Sequence, residues 1–169
     1  MRDTALIEID RAPYDLVRSL RINVLSDQLL REFRDKNRTG FVPVSIRLLG
    51  LQTDDAEAVS IVRSRYRRTS RLGSSYLYQW ALAGIEVDGS NAVAAVDDAL
   101  GTGNRKLEDR RALVRALAEG DTVSPMLREQ SIQIFSRVLI HDSASALANG
   151  FPHPDAFLTP ARGSCGWRG

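Results

Sequence analysis

A chain of 169 residues, 43% hydrophobic and 26% charged, is long enough to bury one core and too short for two of equal standing, and its composition excludes a disordered protein. The formal net charge of +2 excludes a whole-molecule field as the reason for binding a polyanion. No apolar run approaches a membrane span, the opening residues are read as carrying no secretory signal, and Cys165 stands alone, so neither an intrachain disulfide nor a thiolate zinc pair is available and an intracellular setting is expected.

The architecture expected is mainly α: a single helical-bundle-like domain of five or so helices over residues 1–150, with one or two short extended segments, then an extended C-terminal tail over residues 151–169. Residues 4–9 have a strand-like character, ended by Asp10-Arg11-Ala12-Pro13, whose proline suits a first helical turn. Over residues 14–35 Leu16, Val17, Leu20, Val24, Leu25, Leu29, Leu30 and Phe33 recur at threes and fours and predict one long helix. Asn37 to Gly40 signals a turn, and the β-branched run over residues 41–48 predicts a short or edge strand, because Pro43 cannot donate to a ladder. A second helix starts at Asp54, read as its cap with Glu57 three residues on, and runs to Leu72.

Residues 76–85 hold Leu77, Trp80, Ala81 and Gly84 at helical spacing, with a strand as the alternative for so short an apolar run. Small residues predict a helix over 91–100, and the glycines at 101 and 103 close it as an interhelical turn, since no third glycine and no Gly-Lys-Ser/Thr completes a phosphate loop. Further helices are expected over 106–119 and, opened by Ser124 and Pro125, over 125–148, with Met126, Ile132, Phe135, Val138 and Leu139 as the apolar stripe of the last. The core is expected to include Leu20, Val24, Phe33, Val62, Ile132, Phe135 and Leu139.

The strongest chemical signal is the set Arg63, Arg65, Arg67, Arg68 and Arg71, in a stretch, residues 58–85, that contains no acid. At 100° per residue Arg63, Arg67 and Arg71 form one stripe with Arg68 beside it, and Val59, Val62 and Tyr66 face the other way. Guanidinium groups crowded on one face repel each other unless an anion opposes them. A phosphate backbone supplies that anion, and Tyr76, Tyr78 and Trp80 just beyond offer stacking surfaces for single-stranded nucleic acid. The bland alternative puts the aromatics in the core and pairs the arginines with Asp27, Glu32, Asp54, Asp97 or Asp98; arginine preference over the two lysines, Lys36 and Lys106, also follows from genome base composition. Arg105, Lys106, Arg110, Arg111 and Arg115 alternate with Glu108 and Asp109, a solvated ion-paired face from which Arg111 and Arg115 can extend the cationic surface.

Catalytic signals are few. His141 sits near a helix end, His153 lies between two prolines, and Gly163-Ser164-Cys165-Gly166-Trp167 has no downstream histidine. Asp54-Asp55 and Asp97-Asp98 are helix neighbours that point apart, so no catalytic, metal or cofactor set is expected. A helix–turn–helix over 112–134 has suitable Ala116 and Gly120 but places Asp121 and Glu129 where that motif wants apolar groups. The function expected is a non-enzymatic nucleic-acid-binding structural subunit, coat-like, that binds single-stranded nucleic acid, RNA in preference, and forms homo-oligomers through the tail. The alternative is a helical protein-interaction module for an acidic partner, with an enzyme third.

Overall fold

Trp80, Ala81, Leu82, Ala83, Gly84 and Ile85 are buried without a gap. A helix enclosed on every side has to be the axis of its bundle, because an outer helix buries one stripe alone. The computed structural model describes the backbone of residues 2–149 and the side chains of residues 3–140. Among these, all regular structure is helical: α1 (Arg2–Arg11), α2 (Tyr14–Ser19), α3 (Ser26–Arg34), α4 (Val42–Gly50), α5 (Ala56–Leu72), α6 (Leu77–Asp88), α7 (Ser90–Leu100), α8 (Leu107–Gly120) and α9 (Pro125–Asn149), with short 3-10 turns at Lys36–Phe41 and Asp121–Val123. The chain divides into two units. The first ends at Phe135 and holds α1 to α8 with the start of α9; the described part of the second is the rest of α9, from Ser136.

Within the first unit α6 packs against α4, α5, α7 and α8. Three glycines set how closely. A Cβ on Gly50 of α4 would lie 2.7 Å from the Ala83 Cα, one on Gly84 of α6 2.6 Å from the Tyr66 Cγ, and one on Gly120 of α8 2.8 Å from the Ile85 Cγ2. Each is below van der Waals contact, so the hydrogen side chain is what lets α4, α5 and α8 seat on α6. Gly120 and the fully buried Ala116, the small residues of the helix–turn–helix reading, thus have a packing role in α8.

The mainly α class is as expected, but the described residues form nine α-helices rather than five or so, and several details differ. Residues 4–9 are helical in α1, which buries Leu6, and the buried Arg47 holds its end by donating to the carbonyls of Asp10 (2.9 Å) and Ala12 (3.1 Å). The strand expected over 41–48 is α4, in which Val44 to Gly50 are all buried and Pro43 occupies the first turn. A run buried on every side shows no period to distinguish strand from helix, and proline in a first turn loses no needed donor.

The long helix expected over 14–35 is broken into α2 and α3, with Arg21 at φ 46°. Gln52, buried behind the break, takes over the backbone there: its Nε2 donates to the Ile22 carbonyl at 3.0 Å and its Oε1 accepts from the Val24 N–H at 3.3 Å. Leu16, Leu20 and Leu25 are consequently exposed.

The start of α9 is as expected, with the Ser124 hydroxyl accepting from the Leu127 N–H at 3.3 Å, but its face is not. Leu127, Ser131 and Ile134 are buried, whereas Met126, Ile132 and Leu139 are exposed and Phe135 is half-buried. Apolar residues stand on more than one side of this helix, so spacing alone does not fix which of them faces the core. Of the expected core, Val62 is fully buried, while Val24 and Phe33 are half-buried. The cap of α5 is Asp55 rather than Asp54: its Oδ1 accepts from the N–H groups of Glu57 (2.9 Å) and Ala58 (3.2 Å), and its Oδ2 from the Ser26 hydroxyl. The tail expected over 151–169 lies outside the described residues, as do the side chains of His141, His153 and Cys165.

Candidate nucleic-acid interface

Helix α5 is amphipathic by simple arithmetic. Ala58, Val62, Tyr66 and Ser70 recur every fourth residue and are buried, which turns every arginine of the helix outward. The arginines then fall into two groups. Arg63 Nε lies 3.3 Å from Asp88 Oδ1 and Arg67 Nη2 lies 3.1 Å from Asp88 Oδ2, so one carboxylate at the end of α6 holds both. The Tyr66 hydroxyl donates to the same Oδ2 at 2.6 Å, and Asn91 Nδ2 approaches Oδ1 at 3.5 Å. Burial works against the Asp88 charge, but Tyr66, Asn91 and the two arginines outweigh it and hold the carboxyl below the usual carboxylate range. The Tyr66 phenol is pushed up by its burial and by its bond to Asp88.

Arg65, Arg68 and Arg71 are exposed, and among the described residues no carboxylate lies within ion-pair distance of them. Beside Arg71, between α5 and α7, runs a groove of about 490 Å³, walled by Arg67 and Arg71 on one side and by Asn91, Ala99 and Thr102 on the other, with Arg105 at its end. Arg105 Nη2 donates to the carbonyls of Ser70 (2.5 Å) and Arg71 (3.4 Å), capping the last turn of α5.

The second group of expected site residues sits on α6 and α8. The Tyr78 hydroxyl donates to Glu119, Arg115 Nε lies 2.9 Å from Glu119 Oε1, and the Arg115 guanidinium stacks 4.3 Å from the Tyr78 ring centroid. Tyr78 is therefore covered by its own chain, and burial together with Glu119 pushes its phenol well up. Trp80 is a core residue set edge-on against Phe33, with ring centroids 5.9 Å apart. Tyr76, half-buried at the start of α6, and the exposed Arg111 on α8 remain. Arg111 shares a second groove with Ser74, Ser75, Tyr78 and Arg115. The stacking platform expected from three aromatics thus reduces to Tyr76.

Comparison with protein-family models, curated proteins and solved structures finds no match for this chain.

Asp88 is the residue that sequence reasoning missed, and it corrects the pairing expected from Asp27, Glu32, Asp54, Asp97 or Asp98. Read locally, Asp88-Gly89-Ser90 is a turn; its partners stand on a different helix, beyond the reach of any i,i+4 rule. Glu32 is instead occupied by Arg38. A cavity of about 660 Å³ lies at the α2–α3 break and is lined in part by Arg18, Arg21, Gln52 and Glu86. Arg18 is spent there, 3.0 Å from Glu86 and donating to the carbonyls of Thr122 (3.2 Å) and Val123 (3.4 Å). Burial raises the Glu86 carboxyl, and Arg18 and Tyr14 oppose that rise. Among the described residues no three His, Cys, Asp or Glu stand where they could hold a metal ion, and no helix is long and apolar enough to cross a membrane.

Proposed function

We propose that this protein is a non-enzymatic nucleic-acid-binding structural subunit that works inside the cell and engages backbone phosphates through the outer face of α5. The observation that carries this reading is the exposure of Arg65, Arg68 and Arg71 with no carboxylate opposite them among the described residues. Three like charges along one helix face repel unless an external anion lies across them, and a phosphodiester chain matches both their charge and the planar donors of arginine. Such contacts carry no sequence information, as suits a coating role. Copies would join through residues 151–169, whose sequence sets the large apolar side chains Phe151, Phe157, Leu158 and Trp167 among prolines, residues that disfavour helix.

One observation favours the other reading, a module for an acidic protein. Tyr78 and Trp80 are committed within the first unit, so stacking adds less than single-strand binding usually draws on. The triple variant Arg65→Gln, Arg68→Gln, Arg71→Gln separates the two. On single-stranded RNA it should lose most of its affinity, with a salt dependence shallower by roughly two, at about 0.7 per lost phosphate contact. Retention of an acidic peptide by the unaltered protein, with no salt-dependent retention of RNA, decides for the protein partner.

A further inference from the structure

The groove between α5 and α7 holds polar groups that the outer face of α5 does not explain. Ser70 is 1% exposed, lines the groove, and its hydroxyl has no hydrogen-bond partner. Arg105, at the end of the groove, spends Nη2 on the last carbonyls of α5, while its Nε and Nη1 have no acceptor. Buried donors without acceptors are costly and scarce in folded proteins, and here two residues that line one groove carry them. Arg67 and Arg71 flank them, Thr102 and Asn91 add polar groups across the way, and Asp98 is the one carboxylate on the wall. Ala95 and Ala99 of α7 keep the facing wall low, which leaves the space open.

The last turn of a helix ordinarily repels an anion, because its free carbonyls carry partial negative charge. Arg105 removes that objection by capping the carbonyls of Ser70 and Arg71 with its own positive charge. What remains is an excess of guanidinium groups, an uncommitted hydroxyl and a concavity large enough for a compact anion. A fully ionised phosphate monoester, with two negative charges and three terminal oxygens, can accept from a hydroxyl and from several guanidinium N–H groups at once. A phosphodiester has one charge and two such oxygens, and fits the open face of α5 better than this closed end.

We infer that the α5–α7 groove is a binding site for a phosphate monoester, held by Ser70, Arg71 and Arg105. The group can come from a small phosphorylated molecule or from the terminal phosphate of a strand; the second source alone rests on the nucleic-acid reading above.

The test uses the full chain. Inorganic phosphate is titrated at constant ionic strength while the amide resonances of Ser70, Ala99 and Thr102 are followed, and binding of an RNA of about ten nucleotides is compared with and without a 5′-phosphate. Phosphate should shift those resonances saturably. Ser70→Ala, which deletes a hydroxyl that bonds to nothing, should fold as the parent does and weaken phosphate roughly tenfold, the usual consequence of losing a bond to a charged group. Ala95→Leu, which fills the groove, should abolish the response. A preference for 5′-phosphorylated RNA that both variants remove supports the strand end as the source. Phosphate binding with no RNA binding keeps the groove and discards the nucleic-acid reading. Unmoved resonances, or equal phosphate affinity in the parent and both variants, overturn the inference whatever the RNA does.

Discussion

Replacing Asp88 by asparagine should make the protein less stable and a better binder of nucleic acid. The side chain is 7% exposed and meets three partners on α5. An asparagine oxygen can still accept from the Tyr66 hydroxyl, so that bond falls from the charged class, about 1.5–3 kcal/mol, to the neutral one, about 0.5–1.5, a loss of about 1 kcal/mol. Arg63 and Arg67 are 49% and 57% exposed, so water screens both ion pairs; the Arg63 pair contributes about 0.5 kcal/mol and the Arg67 pair adds little. Against this, Asp88 ends α6, where the helix dipole disfavours a negative charge by about 0.3–1 kcal/mol. The net cost is then about 0.5–1 kcal/mol, visible in urea unfolding as a lower midpoint at an unchanged slope. The same change releases two guanidinium groups onto the face that already displays Arg65, Arg68 and Arg71. Anisotropy of labelled single-stranded RNA across a salt series should show tighter binding and a dependence steeper by about 1.4, from two added contacts. Equal or weaker binding at an unchanged slope refutes the idea that Asp88 restrains two of five phosphate-facing arginines.

Gly84→Ala gains about 1 kcal/mol in helix propensity but drives a methyl to 2.6 Å from the fully buried Tyr66 ring, so thermal unfolding should show a net loss of about 1–2 kcal/mol. Gly103→Ala, with nothing within 4 Å, should change stability by less than about 0.5 kcal/mol, and equal effects would mean that the α5–α6 contact is loose. The carboxyls of Asp55 and Asp88 are both depressed in the folded chain, so they stabilise it above the unfolded carboxylate pKa of about 3.9 and cease to do so as pH falls through their lower folded values. The phenols of Tyr14, Tyr66 and Tyr78 are raised, so their contribution is complete below about pH 10 and is lost on going higher. Denaturation midpoints measured from pH 3 to 11 should fall at both ends, and a flat acid limb contradicts the Asp88 and Asp55 assignments. Deleting residues 151–169 should leave the circular dichroism and melting of dilute protein unchanged while sedimentation shifts toward smaller species; lower melting at every concentration removes the assembly role of that segment.

How far the sequence could be read depended on whether a residue's environment was local. The polar and apolar faces of α5 follow from spacing alone, because Ala58, Val62, Tyr66 and Ser70 meet the core while the arginines meet water. Helix α4 could not be recognised that way: Val44 to Gly50 are buried on all sides and show no period, so their β-branched members pointed to a strand. The break after α2 depends on Gln52, whose amide satisfies a backbone that nothing nearby in sequence would satisfy. In the candidate interface the arginines were legible as a cluster. Their division into held and free depends on Asp88 and was not, and neither was the covering of Tyr78 by Glu119 and Arg115.

The enclosure of α6 has a consequence for how the first unit opens. No part of that helix faces water over a full turn, so its amides exchange with solvent only when α4, α5 or α8 moves off it, and the small residues at Gly50, Gly84 and Gly120 leave no slack for a partial separation. Exposure of the axis and loss of the bundle then become one event, with a single free energy for the amides of Leu82, Ala83 and Ile85. Helix α1, which rests chiefly on α4 and buries Leu6 alone, can fray at a small fraction of that energy. In hydrogen exchange the protection within the first unit should therefore rise from α1 inward to α6 rather than along the sequence.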